Sequence, residues 1–473
     1  MSSNAPSPRP AEPLWKRSIP YVVLAAIVIG WTVGTFPLVG GGGLQAALDA
    51  SSDVPRSGDY PHYYLAAKAA VEGANIFTSW RGGYVYPPLL AAALTPLVPL
   101  GLNLSAMVWW VFISGLFAWL WVVGLRELAR RWSIPLDPGV LTAASAIAAV
   151  TFVDPIRAFL DLAQTDSLVM LGFALPLAWL GASRGRDRPI LAALALAVSF
   201  HVKFLAIGLV PYLVLARKWA MLAWSAAALV LVALVPAVVF GWQKNLEYLH
   251  ISLARLGHVF GLPAPDFQLF NPHPLAWERS RSIMSGLARV AEHFSLSPSL
   301  AYAGTALVAG VWVGLAGWIY RRHGLSLVAR LLRPGSLAPA VMSRVLALEI
   351  CSVIAAIMAL GPQTAKRHAI VLIPAMLLAG LIIIAGRVPA AKLKCALGLA
   401  AIFITSFLPA TKVLELSNPW HALGTIGGGG WAFAIFALLL LDAGLAESRA
   451  IDAAKTLPAP PHAAASRVPS PDA

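Results

Sequence analysis

Cysteine is nearly absent: Cys351 and Cys395 are the only two in 473 residues, both sit inside apolar runs, and neither belongs to a CxxC or Cys/His spacing. That argues against a disulfide scaffold and a zinc module and leaves both as packing residues. Charge is also scarce, at 12% of residues, and acids are the rarer sign, 21 against 35 lysines and arginines. The outer loops hold no DxD-type acidic pair and no His/Asp cluster with ligand spacing, so neither a metal nor another cofactor is expected. A glycine-rich loop of the kind that cradles nucleotide phosphates is missing, which disfavours a nucleotide-sugar donor. No repeat at solenoid periods and no nucleic-acid module stands behind the net charge of +14, so no nucleic-acid partner is expected. The short alternating segments of a membrane β-barrel are missing as well.

Hydrophobicity is what the chain has in excess. It is 59% hydrophobic with mean hydropathy +0.74, and apolar runs of membrane length recur from end to end. Such runs must be helices in lipid, because only a helix satisfies its own backbone there. The predicted class is therefore an all-α polytopic membrane protein. The runs are Ile19–Val39, Ser105–Leu125, Gly139–Val153, Thr165–Ala182, Pro189–His201, Lys203–Ala216, Ala220–Gly241, Ser299–Tyr320, Val345–Leu360, Ala369–Gly386, Leu393–Ala410 and Gly428–Leu445. They predict about twelve spanning or half-spanning helices.

The first run follows Lys16 and Arg17 but exceeds a secretion-signal core, so it reads as a retained span. Residues 1–18 and 447–473 are polar and rich in Pro, Ala and Ser, a composition that predicts disordered tails around a membrane domain over 19–446. Most basic residues cluster on one side of this map, which places both tails in the cytoplasm and the basic face against anionic membrane lipids. Two long loops, about 40–104 and 242–298, fall on the other side, so the working face is expected to be extracytoplasmic, in a bacterial inner membrane. The glycine runs Gly40–Gly43 and Gly427–Gly430 at span ends read as hinges.

Two charged residues stand out. Asp59, in SGDYPHYY, lies just past the first span, and a carboxylate costs roughly 2.5–3.5 kcal/mol if drawn to a helix centre, so an unexplained one marks a functional site. Its bland alternative is a solvated loop acid. The stretch from Pro189 to Ala216 begins and ends at basic clusters yet is too short for two spans of about 20 residues, which favours two short helices meeting near His201 and Lys203. Lys203 must then be paired or wetted, by a structural acid such as Asp161 or by a ligand.

In order along the chain come SGDYPHYYLAAKAAVEGANIF, YVYPPLLAAALTPLVPL, LDLAQTD, HVKFLAIGLVPYL, NPHPLAWERSRSIMSGLARV and GPQTAKRHAIVLIPA. From about Ile19 to beyond His368 this series resembles glycosyltransferase family 87, the former DUF2029 group of polyprenyl-phosphate-sugar-dependent enzymes. The resemblance implies a type C glycosyltransferase-like fold with long extracytoplasmic loops. Asp59 matches the family's catalytic base, with Tyr60, His62 and Tyr63 at the acceptor site. Pro87 and Pro88 break the helix at the cavity floor, and Tyr86 faces the sugar or anchors the interface. Gln164 matches a Gly-Gln-x-Asn loop, with Ala163 and Asp166 where the family has Gly and Asn; Asp161 and Gln164 join the sugar side. Lys203 and His368 match the family lysine and late histidine, the histidine alternatively an interfacial one, and Ser282 and Arg289 match a Ser/Arg pattern. Donor-phosphate partners are then Lys203, Arg281, Lys366, Arg367 and His368, although Arg281 and Arg289 also suit a solvated helix face.

The chemistry agrees with the residue types. A lipid-phosphate sugar brings its own leaving group, so one carboxylate that deprotonates an acceptor hydroxyl, with cations for the phosphate, suffices for a single inverting displacement. A hydrolase would want two facing carboxylates, and Asp154, Asp161, Asp266 and Glu278 keep that open. The predicted activity moves a mannosyl or arabinofuranosyl unit from a polyprenyl phosphate to a glycolipid or polysaccharide hydroxyl. The alternatives are a surface-polysaccharide polymerase or ligase and a secondary transporter; a transporter usually has short loops and matching halves, which this chain lacks.

Overall fold

A computed structural model describes residues 59–79, 84–180, 188–259, 274–332, 337–362, 364–407, 423–424 and 426–456. The expected first span, the 1–18 tail, the Gly40–Gly43 run and Asp266 lie outside the described residues. Among the described residues there are helices and no named strand; Ser280 and Ala365 form one isolated antiparallel bridge.

Among the described residues six helices are long and apolar enough to cross a membrane: Pro88–Arg131, Trp219–Phe240, Ser299–Arg322, Pro339–Leu360, Lys366–Ala385 and Gly428–Ala454. Pro138–Thr151 and Val153–Asp161, bent by 73°, make a seventh if counted as one span. Several expected crossings are shorter than a span. Asp166–Trp179 and Pro189–Val202 have 14 residues each, about 21 Å at 1.5 Å per residue against a hydrocarbon core of about 30 Å. Lys203–Ala216 becomes a 3₁₀ turn, Phe204–Gly208, followed by the helix Leu209–Leu215. The break between the short helices falls at Lys203, whose backbone is extended (φ −144°, ψ 134°).

Local sequence explains the starts. Asp137 caps Pro138–Thr151 by accepting from Val140 N–H at 3.1 Å, and Ser282 caps Ile283–His293 by accepting from Ser285 N–H at 3.1 Å. Small residues let helices approach: a Cβ on Gly172 would lie 2.6 Å from Ser199 Cβ, which sets the short helices Asp166–Trp179 and Pro189–Val202 against each other. The Gly427–Gly430 run is a close-approach site and not a hinge. A Cβ on Gly427 would meet the Ser282 carbonyl at 2.4 Å, and Gly430 N–H donates to Arg281 O at 2.7 Å.

Two of the basic residues expected on the cytoplasmic side are less superficial than their sequence position suggests. Arg131 is buried and donates to Ser343 O (3.0 Å), Leu177 O (2.6 Å) and Leu180 O (3.0 Å), stitching three helices. Arg344, also buried, donates to Ser448 Oγ at 2.8 Å and to Asp452 at 2.6 Å. The last helix accordingly runs Gly428–Thr456, so the tail expected from 447 is helical to 456; a buried guanidinium needs the partners that those extra turns supply.

Deeper still, Glu349 in the Pro339–Leu360 span is answered by the Tyr320 and Tyr212 hydroxyls, each at 2.7 Å, and by Arg330 Nη2 at 2.9 Å. One carboxylate thereby ties four elements together. Glu349→Ala leaves Arg330 buried without its counter-charge and is expected to cost about 3–5 kcal/mol. A thermal unfolding midpoint in detergent within 1 °C of wild type would refute this.

Candidate active site

The site is assembled around the turn Leu162–Thr165. Two indoles of the Pro88–Arg131 span hold it from one side: Trp110 Nε1 donates to Leu160 O at 3.1 Å and Trp109 Nε1 to Ala163 O at 2.9 Å. Ala163 adopts φ +49°, a conformation glycine takes without strain, at the position where the resemblance expects a glycine. From the other side, Asp59 N–H donates to Leu162 O at 3.1 Å and fixes the start of the Tyr60–Val71 helix against the turn.

This turn aims the fully buried Gln164 at two charges at once. Its Nε2–H donates to Asp59 Oδ2, and its Oε1 accepts from Lys203 Nζ at 3.2 Å and from Tyr63 OH at 3.4 Å. The three contacts fix the amide's orientation. Lys203 Nζ also donates to Asp166 Oδ1 at 2.9 Å and lies 5.6 Å from the Tyr86 ring centroid, where the ring face attracts a cation. Tyr63 and Tyr86 bring their hydroxyls to 3.0 Å of each other, and burial raises both phenols, so they remain protonated donors. Arg367 Nη2 stands 3.6 Å from Asp59 Oδ2. His368 Nδ1 accepts from Ala365 N–H at 3.3 Å, which leaves Nε2 to carry the proton of the neutral ring. Burial lowers His62, with neighbouring Asp59 opposing, so this imidazole is neutral at pH 7.

These groups stand at one end of a cavity of 1280 Å³. Asp59, His62, Tyr63, Tyr86, Lys203, Arg367 and His368 line it, and its walls continue through Phe204–Leu215, Trp312–Tyr320 and Ser352–Leu360 to Glu349. From Leu360 to Glu349 the wall descends about 16 Å along the helix. The descending part is almost entirely apolar.

Other expected site residues lie elsewhere. Tyr60 is buried and does not line the cavity: it stacks on Trp109 at a centroid distance of 6.1 Å and meets the Tyr63 ring edge-on at 6.3 Å, so it packs behind the ring that lines the cavity. Asp161 pairs with Arg157 at 3.2 Å one helical turn away, leaving Asp166 as the acid that answers Lys203. Lys366 pairs with Asp154, near Arg281, and neither Lys366 nor Arg281 lines the cavity; along the 3₁₀ turn Lys366 is directed to Asp154 while Arg367 and His368 line the cavity. Burial lowers Arg281, and Asp154 opposes that shift. Arg289 is no solvated face: it donates to Trp277 O at 2.6 Å and Gly424 O at 3.1 Å. Asp166, Arg255 and Arg279 were not anticipated. For Asp166 a signal existed, an acid at the family's Asn position opposite a lysine that needed a partner. Among the described residues no group of three or more His, Cys, Asp or Glu side chains is arranged to hold a metal ion.

The model of glycosyltransferase family 87 matches residues 84–342, more than half of the chain. The chain belongs to glycosyltransferase family 87. With its membrane-crossing helices the protein is a membrane glycosyltransferase, and several cavity residues, among them Asp59, His62, Tyr63, Glu349, Arg367 and His368, lie outside the matched stretch. No curated protein matches the chain. Among solved structures it is similar to the crystal structure of ArnT from Cupriavidus metallidurans bound to undecaprenyl phosphate, at 16% identity over 93% of this chain and 81% of that one, with a TM-score of 0.33, too distant a likeness to carry an argument.

The lysine of this glycosyltransferase can be tested apart from its structural role. Lys203→Met strands Asp166, whose side chain is fully buried, and is expected to cost about 3–5 kcal/mol. Adding Asp166→Asn removes the stranded charge and should recover most of that stability. Sugar transfer should stay depressed in both variants. Recovery of transfer along with stability would make the pair purely structural.

Proposed function

We propose that the protein transfers one mannosyl or arabinofuranosyl unit, with inversion, from a polyprenyl phosphate to a hydroxyl of a lipid- or polysaccharide-linked acceptor on the extracytoplasmic face of the membrane. The observation that carries this reading is a long apolar cavity whose outer end brings Asp59 together with Lys203, Arg367 and His368. An isoprenoid tail suits the apolar length, and a phosphate suits the cations where the tail ends.

Charge supports a single phosphate over a diphosphate. In the outer part, Lys203, Arg255, Arg279 and Arg367 face Asp59, Glu278 and, behind Lys203, Asp166. Glu349 at the other end is already matched by Arg330. One positive charge is left over, which balances the one negative charge of a sugar phosphodiester. A diphosphate would leave uncompensated charge in a poorly solvated site.

In the proposed step Asp59 takes the proton of the acceptor hydroxyl as its oxygen bonds to the anomeric carbon. The bond from that carbon to the phosphate oxygen breaks, and the polyprenyl phosphate leaves with the electron pair. Lys203, Arg367 and the Nε2–H of His368 meet the charge that develops on the departing phosphate. Gln164 holds one oxygen of Asp59 and leaves the other for the acceptor.

General-base help is typically worth roughly 10²–10⁴-fold, so Asp59→Asn at matched membrane levels should reduce transfer by at least about 100-fold. Radiolabelled polyprenyl-phosphate mannose and polyprenyl-phosphate arabinose, offered in turn, would identify the sugar. Equal transfer by wild type and variant would remove Asp59 as the base, and no transfer from either donor would remove the donor class.

A further inference from the structure

The donor reading counts Glu278 and Arg279 only as charges that cancel and gives their stretch of the cavity wall no ligand. Trp277, Glu278 and Arg279 line the same cavity as Asp59, on a segment far from the Tyr60–Val71 helix in sequence. We infer that this strip is the binding site for the sugar head of the acceptor, a hexoside presented beside Asp59; the inference rests on the proposed transfer reaction.

The strip is held in place as a binding element is. Trp277 N–H donates to Pro274 O at 2.9 Å, and Trp277 O accepts both Ser280 N–H at 3.0 Å and Arg289 Nη1 at 2.6 Å. Ser280 then bridges to Ala365, Thr364 N–H donates to Ser280 Oγ at 3.0 Å, and Arg281 N–H donates to Thr364 O at 2.8 Å. Residues 364–365 lead directly into Arg367 and His368. The strip is thus laced to the segment that supplies the phosphate-side cations, so its distance from the reacting centre is set by backbone contacts and not by mobile side chains.

Its side chains have the chemistry of sugar recognition. Trp277 is half-buried on the cavity wall, and an indole offers a flat apolar face to the C–H groups of a pyranose. Glu278 and Arg279 are exposed to the cavity, and among the described residues neither makes a side-chain hydrogen bond or salt bridge. A carboxylate accepts two hydroxyl protons, and a guanidinium donates a fixed fork of N–H groups, which together suit neighbouring hydroxyls of one ring. An anionic head fits less well, because Glu278 would face it. The donor's lipid has the apolar wall and its phosphate has Lys203 and Arg367, so a two-substrate enzyme has this remaining polar wall for its second substrate.

The test is equilibrium binding of octyl α-D-mannopyranoside to the full-length protein in detergent-free nanodiscs, followed by saturation-transfer NMR, beside binding of radiolabelled polyprenyl phosphate. Trp277→Ala is expected to weaken the glycoside at least about tenfold and Trp277→Phe less than about threefold, with polyprenyl phosphate affinity unchanged. The double variant Glu278→Gln/Arg279→Gln, on exposed positions that do not pin the strip, should weaken the glycoside about three- to tenfold. Glycoside binding that is absent in wild type, or equal in all variants, overturns the inference, as does a parallel loss of polyprenyl phosphate. Because neither readout needs turnover, failure of the transfer reaction itself shows separately, as no transfer by protein that still binds the glycoside.

Discussion

A lysine set into an apolar bundle must be answered, and the way this protein answers Lys203 organises its candidate site. The two short helices around it cannot cross the membrane alone, so they meet at an extended residue and leave the ammonium inside the protein. Asp166 neutralises it and Gln164 takes a second proton. The amide of Gln164 then has a defined direction, and its NH₂ group donates to Asp59. An ion pair in one part of the fold thereby fixes the orientation of a carboxylate from a segment more than a hundred residues earlier.

That chain of consequences explains what could be read from the sequence. The spans were legible because lipid demands helices of a set length, and the break at Lys203 was legible because its two halves are too short for that length. Asp59 was legible as a costly acid. The partner of Lys203 was not: Asp161 and Asp166 are both close in sequence to the turn, but they end one helix and begin the next on either side of the positive-φ residue Ala163, and in the fold one pairs with Arg157 and the other with Lys203. The same limit applies to Arg131 and Arg344, whose places at helix ends suggested a lipid-facing surface, while tertiary packing buries them against carbonyls and Asp452.

The sequence also grouped more cations than the cavity wall holds. Lys366, Arg367 and His368 are consecutive, and charge counting alone would give all three to one anion. In the tight turn that carries them, Lys366 closes on Asp154 while Arg367 and His368 face the cavity. The division has a use. Lys366 and Arg281 stand beside Asp154 and off the cavity wall, so fewer cations remain there, in keeping with the singly charged donor of the proposed reaction.

Arg367 carries the remaining tension in this arrangement. At 3.6 Å from Asp59 Oδ2, its guanidinium stands beside the same carboxylate oxygen that accepts from Gln164. Under the proposed reaction a donor phosphate competes for the same guanidinium, and each contact that Arg367 makes to phosphate is one withdrawn from Asp59. Gln164, whose amide is also held by Lys203 and Tyr63, then keeps the carboxylate aimed at the acceptor.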